Sequence, residues 1–474
     1  MSDWTAARWR GKAVTIAGLG TFGGQVAAAL FFSRLGARVT ITDKKSQEAL
    51  SGSLEDLIGL DVRFVLGRHE EADFARADLV VASPAIPENS EYLAAASRAG
   101  VPITHEMDIF FDLCRAPSVA VTGSNGKSTT TALLARVLSR HSAGSPSTKV
   151  WLGGNIGKSL LLEAGDIRPA DIVVLELSSF QLEDLGDIRV SPHGAVVTNL
   201  TPNHLDRHLT FDSYARAKRN ITLYQKEGDF LVLNADDPNL AGWEKTAASV
   251  SYFGILAEGR RNGVYISDRS LVDISDGRRT DVSVPAGWKL KGVHNLANLA
   301  AACAAARRLG VGLPEAVAAA EDFQPLPHRM EYVATVNGVA FYNDSIATTP
   351  ESVEVALDSF SEPIVLIAGG YDKGVDLTPF AARAAGRIKA LVAIGKTGPS
   401  IAAAMLAARP ALPVIRPPEF RAAVNAAFGA ASPGDVVLLS PACASYDMFN
   451  NFEQRGDLFR DYVRELTRSE ARAT

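Results

Sequence analysis

The segment Val121-Thr-Gly-Ser-Asn-Gly-Lys-Ser-Thr129 constrains this chain more than any other. It follows the apolar run 119–122 and opens a helical pattern over 128–140, so the chain passes from buried strand to helix through a loop of small residues. Small residues there let backbone N–H groups close around phosphate oxygens, and the helix N-terminus adds positive potential. In that reading Lys127 reaches the β- and γ-phosphates and the Ser128 hydroxyl ligates Mg2+. The full G-x-x-x-x-G-K-[ST] pattern wants glycine at position 121, where this chain has valine. The shorter Gly123-x-x-Gly126-Lys127-Ser128 remains. An ordinary strand–turn–helix with a surface lysine is the plainer alternative, and the glycines, lysine, serine and flanking elements together speak against it.

A similar passage opens the chain. Val14-Thr-Ile-Ala17 reads as a buried strand, 24–35 as a helix ending before Gly36, and 38–42 as a second strand. The turn between strand and helix is Gly18-Leu-Gly-Thr-Phe-Gly23, a complete G-x-G-x-x-G, with Asp43 about 20 residues beyond it. Taken alone this is a dinucleotide site with Asp43 on a ribose hydroxyl. A tight turn needing glycine only for its backbone, or a site for another diphosphate, fits the same residues. NAD, FAD and a UDP-sugar stay open at this point.

At roughly 100–200 residues per domain, 474 residues predict two to four domains. Further strands are read at 78–82, 172–177, 195–199, 230–234, 364–368, 390–394 and 436–439, with alanine-rich helices between the last three. Residues 252–290 change to short β-branched pieces broken by Gly and Asp, a hairpin-like excursion, and a helix over 296–309 stops at Gly310. Linker signals lie at Cys114-Arg-Ala-Pro117 and Phe323-Gln-Pro-Leu-Pro-His328. The expected class is α/β in three domains, 1–114, 115–325 and 326–474, without a fixed-period repeat. The net charge of −5, from 48 Lys+Arg against 53 Asp+Glu, argues against a dedicated nucleic-acid binder. Three cysteines without CxxC spacing fit a reducing compartment. The N-terminus lacks an apolar leader, and no stretch approaches the roughly 18 apolar residues of a membrane span. A cytoplasmic location without membrane partners is expected.

Acidic and imidazole groups cluster in the second unit. Glu176 ends an apolar strand ahead of Leu177-Ser-Ser-Phe-Gln181, and Asn199-Leu-Thr-Pro-Asn-His-Leu-Asp-Arg-His208 follows another. Carboxylate and imidazole at neighbouring strand ends, on the edge that carries the phosphate loop, suit Mg2+. The bland reading is a polar turn and a solvated strand terminus. In the third unit, 367–374 and 439–447 are loops after buried strands, where open α/β sheets bind ligands, though structural turns explain them equally well. Cys443 has no His-bearing loop nearby and reads as a small buried residue.

With these motifs in this order, the chain resembles the Mur ligases of bacterial cell-wall synthesis over nearly its whole length. That family's phosphate loop is T-G-x-N-G-K-[ST], which accounts for Val121. The Gly18–Gly23 turn, Glu176-Leu-Ser-Ser-Phe-Gln181, Asn203-His-Leu-Asp-Arg207, His294-Asn295, Pro327-His-Arg329 and Leu439-Ser-Pro-Ala-Cys-Ala-Ser445 look most like its glutamate-adding members. The resemblance implies a Rossmann-like N-terminal domain for a UDP-substrate, a P-loop ATPase-like central domain and a Rossmann-like C-terminal domain. It implies that UDP-N-acetylmuramoyl-L-alanine, D-glutamate and ATP give the dipeptide product, ADP and phosphate, through an acyl phosphate. ATP and Mg2+ are the implied cofactors, and a monomer is expected.

Carried over residue by residue, the resemblance puts Thr21, Asp43 and Lys44 near the uridine diphosphate, and Asn155, Ser178 and His204 against the muramoyl substrate. Gly123, Ser124, Asn125, Gly126, Lys127, Ser128 and Thr129 form the ATP loop. Glu176 joins Ser128 at the first Mg2+, and His204 serves the second. Lys218 matches a lysine carried as a carbamate, an oxygen ligand for metal; a solvated helical lysine is the reading without the family. Asn295, Asn298, Arg329 and Asp344 match nucleotide positions, and Thr348, Lys373, Ser445 and Phe452 the glutamate pocket, where a cation and hydroxyls suit two carboxylates. One departure stands out. The family reads Asp-Ser-Lys-Ala-Thr where this chain has Asp344-Ser-Ile346-Ala-Thr348, which leaves L-glutamate or another amino acid open as the acceptor. The competing classes are an NAD-dependent oxidoreductase, resting on Gly18–Gly23 and Asp43 alone, and a non-catalytic nucleotide switch.

Overall fold

The structure is a computed structural model that describes residues 3–21, 23–87, 89–144, 147–372, 374 and 376–473. Among them, short apolar strands alternate with helices and assemble into three sheets. The first contains β1 (Ala13–Ala17), β2 (Arg38–Asp43), β3 (Val62–Leu66), β4 (Leu79–Ala82) and β5 (Ile103–Thr104). All pairs are parallel, in the order β3-β2-β1-β4-β5. The order reverses between β1 and β4, and the Gly18–Gly23 turn leaves β1 at that switch point, where open sheets receive ligands.

The second sheet holds β6 (Ser118–Thr122), β7 (Val150–Gly154), β8 (Ile172–Glu176), β9 (Gly194–Val197), β10 (Phe230–Asn234), β11 (Ser249–Ile255), β12 (Gly263–Ser267), β13 (Ser270–Ser275) and β14 (Arg278–Ser283). Their order is β14-β13-β12-β11-β10-β9-β6-β8-β7. Strands β6 to β9 are buried on both faces by helices and read as apolar runs, apart from β7 at the edge. The excursion predicted for 252–290 adds β11 and β12 in parallel, then β13 and β14 as antiparallel hairpins. Asp276 and Gly277 turn the second hairpin at φ 49° and 76°, the two-residue turn whose twist matches its strands.

The third sheet contains β15 (Glu331–Val336), β16 (Val339–Asn343), β17 (Ile364–Gly369), β18 (Ala390–Ile394), β19 (Val414–Ile415) and β20 (Val436–Leu439), ordered β15-β16-β20-β17-β18-β19. Only β15–β16 is antiparallel among its pairs. The α/β class expected from the sequence is the class observed.

The chain divides into two compact units, one running to Ala286 and resuming over Ala297–Glu321, the other formed by Gly287–Leu296 and the chain from Asp322 onward. The first two sheets lie in the first unit and the third sheet in the second. Within the first unit, the helix Glu106–Leu113 packs against the helices Gly24–Arg34 and Ser179–Asp187, joining the first sheet's layer to the second's.

Candidate active site

In the first unit the phosphate loop joins β6 to the helix Lys127–Ser142. Gly123 at φ 147° and Gly126 at φ 81° are held where a side chain has no room: a Cβ on the first would overlap Thr198 Oγ1, and one on the second Asn298 Oδ1. The loop is braced from the strand-end segment after β9. Ser124 N donates to Asn199 O at 2.8 Å, Asn125 N to Asn199 Oδ1 at 2.9 Å, and Thr198 Oγ1 to Asn125 O at 2.6 Å. Ser124 Oγ donates to Thr201 O at 2.8 Å and lies 3.0 Å from Tyr214 OH. Lys127 Nζ donates to Ser124 O at 2.9 Å, curling over the loop. Asn298 accepts from Thr130 Oγ1 at 3.3 Å, so a residue from a distant helix presses on the loop's glycine. Ser128 and Thr129 sit in the first helical turn, with Thr129 buried.

Beneath the loop lie two buried ionisable groups. Glu176, at the end of β8, accepts from Asn155 Nδ2 at 3.0 Å on Oε1, while its buried Oε2 has no hydrogen-bond partner. Asn155 is locked in turn, because its backbone N donates to Glu176 O at 2.8 Å. Lys218, on the helix Phe211–Leu223, is 1% exposed; its Nζ donates to Thr122 Oγ1 at 3.2 Å and lies 4.8 Å from the Tyr214 ring centroid. Burial pushes its ammonium well below its ordinary pKa, the Lys127 charge pushes the same way, and Glu176 opposes both. That shift favours the neutral amine, the form that is a nucleophile. Lys218 is not the solvated helical lysine of the alternative reading.

Ser178 caps the helix Ser179–Asp187 in a reciprocal box with Gln181, whose N donates to Ser178 Oγ at 3.2 Å. His204 has φ 52° and stands edge-on to Phe180, ring centroids 5.3 Å apart. Phe180 is stacked on its other neighbour, His208, which sits 2.9 Å from Ser179 Oγ and 3.3 Å from Glu183 Oε1. At the first sheet, Asp43 accepts from Gly20 N at 2.9 Å and Lys45 N at 2.8 Å, bracing the glycine turn. Thr21 is exposed on that turn, and the Lys44 ammonium lies 5.6 Å from the Tyr92 ring centroid.

The second unit gathers another group. Asp344, at the end of β16, accepts from Ser440 Oγ at 2.8 Å and Met330 N at 3.1 Å; burial pushes it up to about 7 despite these bonds and the Arg329 charge. Asn295 Nδ2 donates to Lys291 O at 2.7 Å, and His294 is driven down to about 4 by burial and the Arg329 charge. The fully buried Arg455 ties the segment after β16 to the predicted loop 439–447, donating to Ser345 Oγ at 2.9 Å, Ser345 O at 2.8 Å and Cys443 O at 3.2 Å. Ser345 Oγ donates to Phe452 O at 2.8 Å, which fixes Phe452 beside the segment bearing Ile346 and Thr348. Ser445 is buried just after Cys443, itself buried as expected. Lys373 lies outside the described residues. Thr122, Thr198, Asn199, Tyr214 and Arg455 were not among the site residues expected from the sequence. Tyr214 stands four residues before Lys218, one helical turn away, and that spacing is the one signal that points to it.

A glycine-gated phosphate loop above a buried carboxylate and a buried amine, carried on α/β sheets, is the frame of an ATP-using ligase, and the chain belongs to the Mur ligase family. Residues 12–105 match the Mur ligase MurD-like N-terminal domain, 121–306 the Mur ligase middle domain, and 328–443 the Mur ligase glutamate ligase domain. A UDP-N-acetylmuramoylalanine–D-glutamate ligase from Roseiflexus sp. (strain RS-1) is 42% identical over 467 residues, covering 96% of this chain and 99% of that protein. The protein of the same name from Pelotomaculum thermopropionicum is 40% identical over 455 residues, covering 96% and 98%. In fold, the chain resembles the UDP-N-acetylmuramate–alanine ligase of Thermotoga maritima, with a TM-score of 0.63 at 21% identity over 96% of this chain and 99% of that one.

Proposed function

We propose that this chain ligates D-glutamate to UDP-N-acetylmuramoyl-L-alanine, converting ATP to ADP and phosphate. The observation that carries the reading is the set of buried groups under the phosphate loop: Glu176 with an unpartnered oxygen, Asn155 holding the other, and Lys218 buried against Thr122 and Tyr214. Identity of about 40% to ligases of that name along the whole chain supports it. The substrate carboxylate attacks the γ-phosphorus, ADP leaves, and an acyl phosphate results. The amine of glutamate then adds to the acyl carbon, phosphate leaves, and the amine's proton goes to solvent or to the departing phosphate.

Two anions must meet in the first step, so positive charge is required. Lys127 supplies it from the loop. Among the described residues no three His, Cys, Asp or Glu side chains form a metal cage. Mg2+ needs none, since it takes one or two carboxylates and completes its shell with water and phosphate oxygens. The orphaned Glu176 oxygen and the Ser128 hydroxyl fit that role, with His204 and Lys218 as a carbamate completing the set. Bound Mg2+ would neutralise charge developing on the transferred phosphoryl group. Carbamate formation suits the buried Lys218 because a neutral amine, not an ammonium, attacks CO2; the new N–C bond releases one proton.

In the first unit, Thr21, Asp43 and Lys44 face the uridine diphosphate in this reading, and Ser178 and Asn155 the muramoyl end. In the second, Asn295, Arg329 and Asp344 serve the nucleotide, and Thr348, Lys373, Ser445 and Phe452 the acceptor. Domains at 1–114, 115–325 and 326–474, a monomeric state and a cytoplasmic location complete the proposal; no helix among the described residues is long and apolar enough to cross a membrane. The test is phosphate release from ATP with UDP-N-acetylmuramoyl-L-alanine, comparing D-glutamate, L-glutamate, D-aspartate and no amino acid. Stimulation by D-glutamate is expected. Stimulation by none of them refutes the ligase reading, and stimulation by L-glutamate alone reassigns the acceptor, the outcome that Ile346 makes worth testing.

A further inference from the structure

Glu106 opens the helix Glu106–Leu113 and is almost wholly buried, yet among the described residues no cation pairs with it. Ser159 Oγ donates to its Oε1, and that hydroxyl also accepts from Leu161 N at 3.1 Å, so its one proton is committed to Glu106. The other oxygen, Oε2, lies at the first residue of the helix Gly24–Arg34: a Cβ built on Gly24 would stand 3.6 Å from it. Glu106 therefore touches both halves of the proposed UDP-substrate path. On one side is the helix that follows the Gly18–Gly23 turn. On the other is the segment running from Asn155 to Ser159, whose Asn155 holds Glu176.

Carboxylate and diphosphate would draw on the same helix N-terminus, whose partial positive charge and free N–H groups favour any anion. Two anions there, one of them out of water, repel strongly. The conflict disappears if the carboxyl carries a proton while the diphosphate is bound. We propose that Glu106 is a positioning residue that joins the glycine-rich turn to the Asn155 segment as a neutral carboxyl, so that binding of the UDP-substrate takes up a proton.

The surroundings leave Glu106 poised for this. Burial pushes it up to about 7, the Ser159 bond opposes that, and Asp108 adds to it. The other charged groups on the elements packed about its helix are accounted for. His105 lies between Asp108 at 3.1 Å and Asp184 at 3.5 Å, on the face toward the helix Ser179–Asp187, which also carries Glu183 and Asp187. Lys158 pairs with Glu163 at 2.6 Å. Asp112, on the same helix, accepts from Trp4 Nε1 at 2.8 Å. The helix Gly24–Arg34 has no acidic residue in its first turn and its base, Arg34, in its last.

This rests on the UDP-substrate reading, and calorimetry with UDP-N-acetylmuramoyl-L-alanine, which has no group titrating near neutrality, separates the two. Titrations of the full chain in buffers of differing ionisation heat report protons taken up. Above pH 7 the wild type should take up a proton, and its Kd should rise toward about tenfold per pH unit. Glu106→Gln keeps the shape and the acceptor for Ser159, so it should bind with a Kd flat across that range. Ser159→Ala removes the bond that favours the ionised form and should move the break to higher pH. No binding by any variant refutes the UDP-substrate reading. Binding without proton uptake overturns the inference, and the same slope in Glu106→Gln overturns it by assigning the titration to the His105–Asp184 pair.

Discussion

Lys218 offers a test in which stability and activity move in opposite directions. Its Nζ donates to Thr122 Oγ1 at 3.2 Å, and that hydroxyl keeps its own bond to Leu177 O at 2.8 Å when the amine is removed. In Lys218→Met the lost hydrogen bond is worth about 1 kcal/mol, and the methionine stem refills most of the volume between Tyr214 and Thr122. Against this stands linkage. The folded amine sits well below the ordinary lysine pKa, so between that depressed value and the unfolded value near 10.4 the unfolded chain binds a proton that the folded chain does not. Wild-type stability therefore rises with pH in this window and falls by about 1.4 kcal/mol for each unit the pH drops. Methionine has no such term. Between the depressed folded value and the unfolded one, in carbonate-free buffer, equilibrium urea unfolding should show the variant gaining on the wild type as the pH falls, by up to about 1.4 kcal/mol per unit. In the phosphate-release assay, Lys218→Ala should be nearly inactive and partly restored by acetate, whose carboxylate replaces the carbamate oxygens. A stability difference independent of pH would mean the lysine is protonated in the fold, and full activity of either variant would end its proposed role.

Three further outcomes are expected. Gly126→Ala places a Cβ on Asn298 at a left-handed φ, which costs about 1–2 kcal/mol in backbone strain alone; ATP affinity measured by calorimetry should fall while UDP-substrate affinity is kept. Asn155→Ala frees the Glu176 carboxylate to turn, and the Mg2+ concentration for half-maximal phosphate release should rise about 10- to 100-fold. Arg455→Met strands the carbonyls of Ser345 and Cys443, each costing about 1–3 kcal/mol, and urea unfolding should report a loss of that order; a change under about 0.5 kcal/mol would show that the guanidinium is not organising those loops.

The sequence was most legible where an apolar run met glycines. β1 with its turn and β6 with its phosphate loop lie where pattern and turn chemistry agree, and the helix read over 128–140 is observed as Lys127–Ser142. Less was visible where strands are brief or glycine-bearing. β7 carries Gly153 and Gly154, and the β15–β16 hairpin went unread although Asn337 and Gly338, at φ 48° and 77°, form a turn with a strong local signature. The helix over 296–309 begins earlier, at Val293, because the chain breaks at Gly292 with φ 88°. Contacts around the site were the hardest to foresee. Lys218 meets Thr122 across 96 positions and Arg455 meets Ser345 across 110. Periodicity is silent at such separations, since nothing local requires the pairing. The burial that lowers the Lys218 pKa is likewise a property of the packed sheet and not of its helix.

The antiparallel extension of the second sheet also bears on how this protein coexists with its own copies at high concentration. β14 closes one margin of that sheet with Arg278-Arg279-Thr280-Asp281, all exposed, and Arg279 pairs with Asp281 at 3.0 Å. A foreign strand docking there would have to strip water from both signs of charge before forming a single ladder bond. The margin thus acts as a guard against fibril-like stacking, a safeguard that the parallel strands inside the sheet, almost purely apolar, do not possess themselves.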